Sequence, residues 1–155
     1  MDFQISALKA EQFAPLFDLP QASLAQHLAV RRIASAKPGF PCRVSLEDAE
    51  VGEQLLLIQY VHQGDASPYR ASHAIFVRRG VPRAELAAGE VPQFLRTRVL
   101  SLRAFDKDAM IVTADLCDGA HVENVLQTHF SKRAVAYVHI HFAKFGCYAC
   151  RADRI

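Results

Sequence analysis

Alternation and helical spacing divide the chain into short segments. Phe3-Gln4-Ile5 alternates apolar with polar side chains, the period of a half-buried strand. Phe13, Leu16 and Phe17, then Leu24 and Leu28, fall at helical spacing within 10–18 and 20–28. Pro15 and Pro20 cut this stretch into short helices, because proline fits a first turn and breaks an interior. Residues 29–35 predict a strand; Pro38, Gly39 and Pro41 make 36–43 an ordered loop. Residues 53–62 are too apolar for a strand with one wet face, so they predict a central strand covered on both. A polar loop over 63–68 leads to a strand over 73–79, ended by Gly80 and Pro82. Residues 80–92 read as loop, and a short helix is expected over 91–96. Two β-rich runs, 97–105 and 109–116, flank Asp106-Lys107-Asp108 and predict a hairpin. Asp118 reads as an N-cap, and Val122, Val125, Leu126 and Phe130 give a helix over 119–131 one apolar stripe. A strand over 134–142, a turn over 143–146 and a final strand over 147–153 complete the pattern.

These elements amount to about seven or eight strands with two or three helices. They do not alternate strand–helix–strand, which argues against a doubly wound parallel sheet. The expected class is α+β: a mostly antiparallel sheet, free to curl strongly, with helices on one face or end. The 155 residues suit a single domain over 1–155. Eighteen basic against sixteen acidic residues leave +2, too little to make an electrostatic case for nucleic acid. The longest aliphatic run, Leu55 to Ile58, is far below the ~20 residues of a membrane-spanning helix. The N-terminus lacks the basic and apolar regions of a secretory signal, so the expectation is a cytoplasmic protein with reduced cysteines. A small molecule is the expected partner, with no nucleic acid and no membrane; the oligomeric state is not legible.

Candidate chemistry concentrates on one strand. In Tyr137-Val138-His139-Ile140-His141-Phe142, Val138, Ile140 and Phe142 share a core face, while Tyr137, His139 and His141 share the other. Two imidazoles at i, i+2 can reach one metal ion, anion or water, and His139 with His141 could supply two zinc ligands. The alternative is a strand face that merely tolerates histidine. Loop length then decides what opposes the imidazoles. A two-residue loop, Lys144-Phe145, puts Cys150 opposite His139 and Tyr148 opposite His141. A three-residue loop ending at Gly146 brings Cys147 and Arg151 to the histidine face and turns Cys150 into the core. Cys147 and Cys150 cannot share a face of a regular strand, so a site with His139, His141 and both thiols needs a bulge. Alternatively, Cys147 is a thiolate nucleophile with His139 or His141 as its base and Arg151 steadying an anion.

Further candidates lie on loops and strand ends. Tyr69-Arg70 precedes a strand, and Arg70 could fork onto a carboxylate or phosphate. Lys37 and Arg43 bracket the rigid loop that also carries Cys42, and could present two cations to an anion. His62 ends the apolar strand beside the polar loop, and His27, His121 and His129 read as surface or core-edge residues on helices. No P-loop, dinucleotide fingerprint, H-E-x-x-H or G-x-S-x-G occurs.

Three strings carry a family resemblance: Pro38 to Ala49, Ser67-Pro68-Tyr69-Arg70 with Ile75-Phe76-Val77, and His139-Ile140-His141 with Gly146-Cys147-Tyr148-Ala149. They resemble the bacterial family catalogued as Domain of Unknown Function 1203, over nearly the whole chain. The resemblance implies a bacterial, cytoplasmic protein and no assigned activity. The chain departs from the family's strings at His73-Ala74, where the family has Gly-Pro, and at Phe142, where it has Asn. Cys150 also lies outside them. By that likeness His73 is a poor shared catalytic residue, a four-ligand zinc site loses weight, and His139, His141 and Cys147 remain. The leading expectation is a pocket for a small anion, lined by Tyr69, Arg70, His139, His141 and Cys147, with Lys37, Cys42 and Arg43 nearby and Arg151 able to join. A metalloprotein, a thiol enzyme and a non-catalytic structural or interaction module are the alternatives.

Overall fold

The computed structural model describes residues 2–155. In chain order the strands are β1 (Phe3–Ser6), β2 (Ala29–Ile33), β3 (Gln54–Gln63), β4 (Ala71–Arg78), β5 (Val99–Phe105), β6 (Ile111–Asp118), β7 (Tyr137–Phe142) and β8 (Tyr148–Arg154). The helices are α1 (Gln21–Gln26), α2 (Gln93–Arg96) and α3 (Val122–Ser131). The class is α+β and every strand pair is antiparallel. The strands divide between two sheets, β1-β8-β7-β5-β6 and β2-β3-β4, and neither closes into a barrel.

Proline explains the N-terminal helices. Pro15 sits in the first turn of a 3₁₀ segment, Ala14–Asp18, and Pro20 is the N-cap of α1. Phe13, Phe17 and Leu24 from this region pack on Leu56, Ile58, Ile75 and Val77 of the smaller sheet. β3 is the centre of that sheet, as its apolar run predicts, but only its first half is covered on both faces; Gln59 and Val61 are exposed.

The helix predicted over 119–131 begins as a 3₁₀ turn, Gly119–His121, and continues as α3. Asp118 caps it: its Oδ1 accepts from Ala120 N at 3.0 Å. Val122, Leu126 and Phe130 meet Leu100, Leu102, Val138 and Ile140 of the larger sheet. Burying a side chain such as Phe130 stabilises the fold by roughly 1.5–3 kcal/mol relative to leaving it exposed. His129 is not at the surface. It is fully buried, and its Nε2 lies 2.7 Å from Asp115 Oδ2 on β6, because the helix sits down on that strand. Gly119 marks a close approach: an added Cβ would lie 1.9 Å from Leu95 O and 2.7 Å from Arg98 O, both backbone. Gly119→Ala should therefore cost roughly 3 kcal/mol or more, read as a lowered urea midpoint.

β7 is buried along its whole length. Its apolar face belongs to the α3 core, and its other face is covered by aromatic and imidazole rings, among them rings of the smaller sheet. Gln63 Nε2 donates to Tyr137 Oη at 2.9 Å and ties the sheets together beside those rings.

Candidate functional site

The β7–β8 hairpin combines the two registers that loop length alone allows. His141 opposes Tyr148, as after a two-residue loop, and His139 opposes Arg151, as after a three-residue loop. A bulge absorbs the difference: Ile140 opposes Cys150, which leaves Ala149 without a partner. Tyr148 and Arg151, three residues apart, thereby both reach the ring face, where they touch His139 and Tyr137. Cys147 and Cys150, also three apart, join the apolar core with Val138, Ile140 and Phe142. The bulge that a site with both thiols requires is present, but it takes both thiols away from the imidazoles.

A third imidazole comes from the other sheet. β3 carries its own irregularity: Val61 pairs with Ser72 and Gln63 with Ala71, which leaves His62 as the surplus residue. His62 turns toward β7. Its ring centroid lies 4.8 Å from that of His141 and 6.0 Å from that of His139, and it stacks on Tyr148 at 5.6 Å. One nitrogen from each of His62, His139 and His141 lies within 4.8 Å of those of the others. His62 Nδ1, His139 Nδ1 and His141 Nε2 are buried without a hydrogen-bond partner among the described residues. His141 Nδ1 lies 3.0 Å from Gly146 O and can donate only to that carbonyl, which leaves the lone pair on Nε2.

Burial is the main reason these rings resist protonation. It pushes His62 down to about 4, aided by Arg103 and His73. It pushes His139 down to about 3, aided by its imidazole neighbours and by Arg151 and Arg103, and His141 likewise to about 3 against the opposing pull of the Gly146 carbonyl. All three are neutral at pH 7, the form that ligates metals. Arg103, opposite His139 on β5, adds a cation with no hydrogen-bond partner among the described side chains.

A separate cavity of about 720 Å³ opens where the 38–43 loop, β4 and the β7–β8 turn meet. Arg43 and Cys147 line it. Arg43 is buried and donates to Tyr148 O (2.7 Å), Pro41 O (2.5 Å) and Cys147 Sγ (3.0 Å). The structure thus brings Cys147 to Arg43 and not to His139 or His141. Cys42 belongs to this loop and is fully buried, its sulfur accepting from the backbone N–H groups of Val44, Ser45 and Arg78. Lys37 pairs with Glu50, and Arg151 pairs with Asp153 at 2.6 Å. Tyr69 packs edge-on to Phe105, while the exposed Arg70 donates to Gly64 O. The single pocket expected around all these residues is two sites, an imidazole trio and an arginine–thiol cavity, with Tyr69, Arg70 and Lys37 at the surface.

A family profile described as protein of unknown function (DUF1203) matches residues 39–154. The chain belongs to the DUF1203 family. No curated protein and no solved structure matches it. The DUF1203 match spans His62, His139, His141, Arg43 and Cys147, so both sites lie within the family's own segment. Residues before it, from β1 through β2, supply core and one face of the smaller sheet.

His62 is the member of the trio that strand-by-strand reading leaves apart. One signal was available: Tyr60-Val61-His62 repeats Tyr137-Val138-His139. The repeat puts a tyrosine and a histidine on one face of each strand, and the two faces meet.

Proposed function

We propose that this protein binds a divalent transition-metal ion through His62, His139 and His141 and presents it to a small anion. The observation that carries the reading is the convergence of three neutral imidazoles, each with one buried nitrogen that has no hydrogen-bond partner among the described residues. Leaving such atoms unpaired costs about 1–3 kcal/mol each, which a bound ion would relieve. Zn–N bonds of about 2.0–2.1 Å draw ligand nitrogens to roughly 3.4 Å from one another, so closing the trio needs shifts of under about 1 Å per ring. Three protein ligands with a free fourth position is the arrangement of reactive zinc sites; structural zinc is closed by four. Arg103, which has no hydrogen-bond partner among the described side chains, adds positive charge that favours an anion in that position. The His139/His141 face is already covered by the chain's own smaller sheet, so it does not need another subunit to bury it.

Titration of metal-free, untagged protein with Co²⁺ tests this. The expected result is one equivalent bound, with visible absorption bands intense enough for four-coordinate geometry that change when bicarbonate or azide is added. Absence of stoichiometric Co²⁺ or Zn²⁺ binding would overturn it.

A further inference from the structure

Arg43 is a buried cation, 1% exposed, without a carboxylate partner among the described residues. Arg98, which lines the same cavity, shows the contrast: its Nη1 and Nη2 bond the two oxygens of Asp48 at 2.9 and 2.5 Å. Arg43 spends three of its five N–H groups on two carbonyls and a thiol. Its two remaining N–H groups, one on each terminal nitrogen, have no acceptor among the described residues. A buried charge without a counterion is expensive, and a free N–H on each terminal nitrogen can donate to carboxylate oxygens.

Leu57, Phe76, Val99, Phe142 and Phe145 give the cavity most of its wall, with His73, Thr97 and Lys144 as further polar lining. Phe145, at the tip of the β7–β8 turn, is 75% exposed, an aromatic ring left in water at the edge of the space. The volume of about 720 Å³ falls within the range of pockets that enclose a drug-sized ligand. Arg43 and Lys144, cations that no carboxylate among the described residues pairs with, in a largely apolar chamber select an anion with an apolar body, and a monocarboxylate is the simplest such ligand.

The geometry points to a second binding site, distinct from the imidazole trio, that takes an apolar monocarboxylate with its head on Arg43 and its body against Phe142 and Phe145. Calorimetric titration with octanoate, octylamine and acetate tests it. Octanoate should bind one to one, at least about tenfold tighter than octylamine or acetate, the ratio expected when one charge-assisted pair and the apolar body both count. Octanoate should also slow alkylation of Cys147, which shares the chamber. Arg43→Lys keeps the charge and loses the fork, so octanoate affinity should fall about tenfold. If that variant fails to fold, Ala74→Phe, which fills the chamber from β4, carries the test: a native circular-dichroism spectrum with octanoate binding lost supports the site. Equal binding of octanoate and octylamine, no octanoate binding at all, or undiminished binding in folded Ala74→Phe protein would overturn it.

Discussion

His139→Ala should weaken Co²⁺ and Zn²⁺ binding by at least about 100-fold, while His27→Ala leaves it unchanged. Disturbing only a partner of a ligating histidine commonly costs 10–100-fold, and here a ligand itself is removed. Two imidazoles remain in the variant, and no carboxylate or thiol stands ready to replace the third, since the only such cluster among the described residues is the trio. Metal should also show in stability. At a free concentration about 100 times Kd, binding adds about 2.7 kcal/mol, which for a chain of this size raises Tm by roughly 5–10 °C. Wild-type protein should show that rise with Zn²⁺, and His139→Ala should show none. The same should hold for His62→Ala, from the other sheet. A variant lacking His62 that binds metal as wild type does would remove the third ligand from the site.

Metal-free protein should lose several kcal/mol of stability between about pH 6.5 and pH 3. The three imidazoles are held below their ordinary value near 6.5, chiefly by burial: His62 at about 4, His139 and His141 at about 3. Over that interval the unfolded chain binds protons that the folded chain refuses, so stability rises with pH. The contribution is complete above 6.5 and disappears as pH falls through the folded-state values. For a fully buried ring, each pH unit between the unfolded and folded midpoints corresponds to about 1.4 kcal/mol; the partly exposed His62 contributes less. Glu53, held low by its hydrogen bonds to Arg78, has the same sign but acts only below its ordinary carboxylate range. The interval from pH 6.5 to 5 therefore reports the histidines alone of these two sources. Urea midpoints across it should fall steadily in wild type as pH falls and fall less steeply in His139→Asn, where two of the three rings remain. A flat wild-type profile would mean the rings are not buried neutral.

Local patterning reaches far into this fold. The Asp118 cap, the stripe on α3, the turn beginning at Asp106 and the core face of β7 are all written in short-range periodicity, because each depends on neighbours within a turn or a pleat. The site was half legible. His139 and His141 share a face by parity alone. Three things were not readable: the bulge at Ala149, the surplus residue at His62 and the division into two sheets. Each depends on which strand meets which, a contact between residues far apart in the chain. Arg43 and Cys147 illustrate the same limit. Both were candidates, but their 3.0 Å contact spans 104 positions and could not be inferred from either segment.

The two irregular strands also bear on how such a site could be gained or lost. Remove Ala149 and the hairpin pairs regularly, with His141 still opposite Tyr148 and His139 still opposite Arg151. Remove His62 and β3 likewise pairs regularly with β4, Val61 on Ser72 and Gln63 on Ala71. The third imidazole is thus a residue the sheet does not need for its own ladder. A single codon, inserted or deleted, separates a chain with three converging imidazoles from one with two, and the rest of the architecture need not register the event.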